Sequence, residues 1–368
     1  MSLSCGIVGL PNVGKSTLFN CLTLAQADSA NYPFCTIEPN VGVVDVPDDR
    51  LQLLADVACS KKILPAFVKF VDIAGLVKGA SNGEGLGNKF LNHIRQTDAI
   101  CHIVRCFKDD KIIHVENETN PVRDVEIVET ELILSDLDLS QKTFNRLDKI
   151  KNKEQVSSKK ILYFCENLIT HLNQNLLARN FEFDKQDNEL SSFFKQMQLI
   201  TAKPTLFVAN VDEKGFSPDE NLFLKDFLNF LLSRNCSAII VCAKIEEELS
   251  HLNFEEKIEF LKEFNLKMTG LEQIIKSAFR ILNLQTFFTV GPNEVRAWTV
   301  PVEIKAPAAA GVIHSDFERG FIKADVINWK NFIEFNGEIG CRSVGLIKTE
   351  GREYVVQDGD VINFKFNV

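Results

Sequence analysis

The residues Gly9-Leu-Pro-Asn-Val-Gly-Lys-Ser-Thr17 place two glycines, a lysine and two hydroxyls in the order GxxxxGK[ST]. Each type has a task at a triphosphate. Gly9 and Gly14 let the backbone curl so that successive N–H groups converge on phosphate oxygens. A helix opening just after them would present its unpaired amides and positive dipole end to the same anion. The chemistry expected of the run is a phosphate cradle built from Asn12, Val13, Gly14, Lys15, Ser16 and Thr17. Lys15 would reach the β- and γ-phosphates and share in catalysis, and the Ser16 hydroxyl is a hard oxygen ligand for Mg2+.

Two further stretches stand behind this cradle in the order that phosphoryl transfer needs. Asp72-Ile-Ala-Gly75 follows an apolar run, so Asp72 could hold the metal's shell and Gly75 could offer its N–H to a γ-phosphate. Upstream, Pro33-Phe-Cys-Thr-Ile-Glu-Pro39 supplies Thr36, a second hydroxyl for the metal. The expected metal set is therefore Ser16, Thr36 and Asp72. After Gly75 come Gly79, Gly83, Gly85 and Gly87, permissive enough to order only on binding a γ-phosphate. The position that carries a water-orienting Gln in Ras-like enzymes is Leu76, so either another group orients the water or turnover is slow.

A guanine reader would place Asn-Lys-x-Asp at the end of a late strand. Here that place holds Asn210-Val-Asp-Glu213. Val211 cannot supply the Lys contact, and Glu213 is one methylene too long for the same bidentate geometry. Asn210, Val211 and Glu213 are thus the expected base contacts, and the expected preference is ATP over GTP.

Buried parallel strands are the natural frame for such loops. Ser4–Val8, Gly42–Val46, Phe67–Asp72, Ala99–Val104, Thr205–Asn210 and Ala238–Cys242 are short and nearly continuously apolar. With helical stretches between them they predict an α/β, doubly wound sheet of the P-loop NTPase kind. The interval from Glu126 to Ile200 contains no Pro or Gly. There Ile161, Cys165, Leu168, Leu172 and Leu176 form one helical stripe, and Ile133, Leu137, Phe144 and Leu147 form another. These predict an inserted helical hairpin with a basic tip at Lys149–Lys160, read either as a solvated turn or as an RNA contact. From Leu284 onward Pro and Gly return beside alternating segments such as Trp298–Ile304 and Val361–Phe366, predicting a separate small α+β domain.

The chain has 368 residues, enough for two or three domains. Its 41 Lys and Arg against 50 Asp and Glu give a formal charge of −9, which argues against bulk-charge binding to nucleic acid; DNA is not an expected partner. Ten scattered Cys without a CxxC pair read as reduced thiols of a cytoplasmic protein. No apolar run reaches the roughly 20 residues that a membrane span needs, so no membrane partner is expected.

Together these residues resemble the YchF/Obg-like ATPase family. Gly9–Thr17, Tyr32–Asn40, Asp72–Leu76, Gly79–Gly87, Asn210–Glu213, Ala243–Glu248, Val295-Arg-Ala-Trp-Thr299 and Tyr354–Val368 carry the resemblance. It implies an Obg-type nucleotide-binding domain over 1–125 and 201–283, an inserted α-helical coiled-coil arm over 126–200, and a C-terminal TGS domain of β-grasp type over 284–368. It also implies a switch that hydrolyses ATP slowly with Mg2+, takes GTP less well and binds the ribosome, expected at the large subunit and its rRNA. His114 in Lys111-Ile-Ile-His-Val115 occupies the place where bacterial members carry a candidate catalytic His. Two other functions compete: an RNA-binding adaptor with vestigial hydrolysis, motivated by the basic tip, and a P-loop kinase of small molecules. A kinase would want an Arg-bearing lid where this chain has glycines.

Overall fold

The computed structural model describes residues 3–24, 40–73, 86–109, 111–112, 114, 118–149, 156–263 and 266–367. Thr36, Gly75, Leu76, Gly79, Gly83 and Gly85 lie outside the described residues, as do 150–155 of the basic stretch.

The first elements are β1 (Ser4–Val8), α1 (Lys15–Leu24), β2 (Val41–Asp45), α2 (Arg50–Ala58), β3 (Ile63–Leu64) and β4 (Phe67–Asp72). There follow α3 (Leu86–Gln96), β5 (Ala99–Arg105), α4 (Pro121–Asp148), α5 (Val156–Asn173), α6 (Asn188–Gln196) and β6 (Thr205–Asn210). Then come α7 (Leu222–Ser233), β7 (Ala238–Val241), α8 (Ala243–Ser250), α9 (Phe254–Glu263) and α10 (Gly270–Ile281). The last third holds β8 (Leu284–Val290), β9 (Val295–Pro301), α11 (Ala306–Ile313) and α12 (Ser315–Arg319). It ends with β10 (Phe321–Asn328), α13 (Trp329–Glu334), α14 (Glu338–Ser343), β11 (Lys348–Glu350) and β12 (Asp360–Phe366).

The chain divides into two compact units, Met1–Gly42 with Lys69–Ile274 and Val43–Val68 with Ile275–Val368. One six-stranded sheet has the order β2-β4-β1-β5-β6-β7. The ladders β1–β4, β1–β5, β5–β6 and β6–β7 are parallel. β5 is buried at every position and β6 at all but its first, as continuous apolar runs require. β2, at the sheet edge, instead alternates buried and half-buried residues, so Gly42–Val46 is a one-faced strand and not a doubly covered one.

Between β5 and β6, α4 runs for 28 residues. Asn120 caps it by accepting from the Arg123 N–H, and Pro121 begins it with no N–H to lose. α4 and α5 pack on Ile133, Phe164, Leu168 and Leu172, and Cys165 is likewise buried. The stripe ends sooner than its spacing suggests. α5 stops at Asn173, leaving Leu176 41% exposed, and the next residue, Leu177, enters the core instead. Phe164 meets the rings of Phe181, Phe183, Phe193 and Phe194 at near-perpendicular angles, which closes this core with aromatic edges.

The second unit carries a sheet of order β11-β10-β12-β8-β9-β3 over a core that includes Phe287, Val300, Ala309, Ala324 and Ile362. Its first segment, Val43–Val68, comes from far upstream: β3 pairs with β9, and Leu51 and Leu54 of α2 are buried. Among the described residues no helix is long and apolar enough to cross a membrane.

Candidate functional site

The cradle sits where the topology favours a ligand. β1 is flanked by β4 on one side and β5 on the other, so the loop leaving β1 emerges at the point where the chain changes sides of the sheet. Gly9 has φ +154°, and a Cβ there would lie 2.4 Å from the Ile103 carbonyl oxygen of β5. Gly14 has φ +98°, and a Cβ there would lie 2.4 Å from Asn210 Nδ2. Both glycines are therefore required by close approach as well as by backbone conformation. α1 opens at Lys15, so the expected helix N-terminus stands at the end of the loop.

Lys15 is buried and its Nζ donates to the Leu10 carbonyl at 2.7 Å, folding the ammonium back onto its own loop. Burial lowers its pKa to about 8, against the pull of the Asp72 carboxylate in the other direction. Asp72 ends β4 beside Ile7 of β1. Burial raises its carboxyl and Lys15 opposes the rise. Asp72 Oδ1 is buried, and no donor among the described residues reaches it. An orphaned carboxylate oxygen next to the cradle lysine fits the outer shell of a divalent cation, and the Ser16 hydroxyl, exposed in the first turn of α1, fits its inner shell. Thr36 lies outside the described residues.

A cleft of about 840 Å³ opens beside the loop. Asn12, Gly14 and Thr17 line it from the cradle, and Asn210, Val211 and Glu213 line it from the end of β6. Lys15, Ser16, Val13 and Asp72 are not among its lining residues. Asn210 is itself buried, and both ends of its amide are committed: Nδ2 donates to the Val13 carbonyl at 2.9 Å and Oδ1 accepts from the Ala243 N–H at 3.0 Å. It ties the cradle to the loop opening α8. Val211 is buried, with its N–H donating to the Val241 carbonyl at 2.8 Å. Glu213 is exposed and pairs with Lys244 Nζ at 2.5 Å, which holds its carboxyl below the usual range.

His114 is not among the residues lining the cleft. It is buried, with Nε2 2.9 Å from Asp124 Oδ2 in the first turn of α4, and Arg123 also reaches that carboxylate. Burial raises the Asp124 carboxyl, and His114 is the main group opposing the rise.

Sequence reasoning missed one whole wall. Phe107, Lys108, Asp109, Lys111 and Ile112, between β5 and α4, line the cleft. The available signal was a charged run, Lys108-Asp-Asp-Lys111, placed directly after a fully buried strand.

Residues 4–134 match a family profile described as a 50S ribosome-binding GTPase, and residues 284–367 match the YchF GTPase C-terminal profile, described as a protein of unknown function. The chain is 50% identical over 372 residues to the ribosome-binding ATPase YchF of Bacillus subtilis, covering 100% of both. It is 46% identical over 368 residues to the protein of that name from Escherichia coli O157:H7, again covering 100% of both. The structure of the Schizosaccharomyces pombe YchF GTPase is similar with a TM-score of 0.88 and 37% identity, over 99% of this chain and 98% of that one.

Proposed function

Because this chain belongs to the YchF family, we propose that it is a molecular switch of the cytoplasm that binds and hydrolyses ATP with Mg2+, accepts GTP less well, and associates with the ribosome. The observation that carries the proposal is Asn210. One buried amide holds both the phosphate cradle at Val13 and the loop opening α8 at Ala243, so a purine side and a phosphate side share one cleft.

Lys15 would leave the Leu10 carbonyl to neutralise the β- and γ-phosphates. Ser16, Thr36 and Asp72 would hold Mg2+, whose chemistry there would be to offset negative charge on the phosphate oxygens as the terminal P–O bond breaks. Gly75 would offer its N–H to the γ-phosphate. Leu76 cannot orient a water, which keeps the unaided rate low, and His114 is the proposed catalytic imidazole, held in the meantime by Asp124. Val211 and Glu213 favour adenine, because Glu213 is already engaged with Lys244 and no lysine stem follows Asn210. The relatives' names divide between ATPase and GTPase, so base choice is the point to measure. In this reading 126–200 is the inserted coiled-coil arm and 284–368 the TGS domain, and the ribosomal contact is to the large subunit and its rRNA.

Calorimetry with MgATP and MgGTP, followed by co-sedimentation with ribosomes in ATP, in ADP and without nucleotide, tests this. The expected results are tighter ATP binding, release of free phosphate, and ribosome association that depends on nucleotide. No heat with either nucleotide would end the proposal, and a phosphorylated metabolite as product would turn it into a kinase.

A further inference from the structure

We propose that Arg105 is the positioning residue for the base side of the cleft, holding the wall of Phe107, Asp109 and Ile112 in the shape a purine requires. This rests on the nucleotide reading above.

Arg105 ends β5 and is 2% exposed. Among the described residues its side chain donates to main-chain carbonyls of the loop that follows. Nε donates to Phe107, Nη2 to Asp109 and Nη1 to Ile112, each at 3.1 Å. The guanidinium carbon lies 4.6 Å from the centre of the Phe107 ring. No carboxylate oxygen pairs with it among the described residues. A buried cation costs free energy that an apolar side chain of the same volume would not. What the guanidinium provides is a rigid fork whose three nitrogens each meet a different carbonyl along the loop, whereas a lysine's donors all sit on one nitrogen and a methionine has none.

Each of those carbonyls belongs to a residue that lines the cleft. Asp109 accepts from the N–H of Lys111 through its side chain and of Ile112 through its carbonyl, and the Thr119 hydroxyl reaches the Phe107 carbonyl at 3.4 Å. Arg105 is also the ladder partner of Asn210 on β6. Two buried polar side chains thus end adjacent strands and divide the work. Asn210 secures the cradle and α8, and Arg105 secures the wall between β5 and α4.

A residue that shapes only the base side should matter to ATP and not to a bare triphosphate. Arg105→Lys and Arg105→Met are to be compared with the native chain by calorimetry with MgATP and with magnesium tripolyphosphate, alongside thermal melts. Folded variants are expected to lose at least about tenfold in ATP affinity while tripolyphosphate affinity stays within a few-fold. Equal losses for both ligands, or no loss for either, would overturn the assignment. Failure of both variants to fold would overturn it too, since Arg105 would then serve the core and not the cleft. If the native chain binds neither ligand, the nucleotide reading itself fails, which is a separate outcome.

Discussion

Lys15 carries the sharpest pH dependence that the site offers. Burial brings its folded-state pKa to about 8, below the ordinary 10.5. A triphosphate beside it would favour the charged ammonium and raise that value again. Below about 8 the free protein is already protonated, so ATP affinity should be flat there; above it, binding must take up a proton and affinity should fall as pH rises. Calorimetry in buffers of different ionisation enthalpy should find proton uptake above pH 8 in the native chain and none in Lys15→Arg, which stays charged. Proton release, or the same slope in both, would show that Lys15 does not meet the phosphates. Base choice belongs to the same scale. Val211→Lys with Glu213→Asp should move the ATP:GTP affinity ratio toward GTP, and an unchanged ratio would locate base recognition elsewhere. The cradle was legible because each of its residues acts within one local turn. Asn210 was legible as the end of a late strand but its ties were not, because its partners Val13 and Ala243 are brought to it only by the fold.

At the level of elements, apolar runs located the central strands to within a residue or so, since burial on both faces writes itself into every position. The helical stripe was misread at its end: spacing alone cannot separate Leu176, exposed past the last turn, from Leu177, which is buried. What fixes that region is a long-range polar centre. Asp136 of α4 is wholly buried and accepts from the N–H groups of Ile200 and Thr201, from the Thr201 hydroxyl, and from Arg95 of α3. An acid in the middle of a helix pattern reads as a solvated position, and only the packed structure reveals its four donors. Removing it leaves two buried N–H groups and a guanidinium without their acceptor. Asp136→Ala should therefore cost about 3–5 kcal/mol in urea unfolding. A loss under about 1 kcal/mol would mean that water replaces the carboxylate and that the centre is not a structural pin.

Across the whole molecule, the C-terminal unit contains a segment that no local pattern could assign to it. Val43–Val68 runs from within β2 to the start of β4, two strands of the first sheet, yet α2 packs on β8, β9 and α13, and Arg50 pairs with Asp358 at 2.7 Å, 308 positions away. Arg50 also covers the Phe288 ring at 5.0 Å. Leu51 and Leu54 are both nearly inaccessible, so their burial supplies on the order of 3–6 kcal/mol to this unit. That is a large share of the 5–15 kcal/mol typical of a whole domain. A fragment of 275–368 alone should be largely unfolded at 37 °C by circular dichroism, although it contains most of the second sheet. In the full chain, Leu54→Ala should lose about 2–5 kcal/mol, with faster hydrogen exchange in β8, β9 and β12. Exchange that instead accelerates in β1, β5 and β6 would assign the α2 segment to the nucleotide-binding unit, and a cooperatively melting fragment would show that the C-terminal residues need no upstream partner.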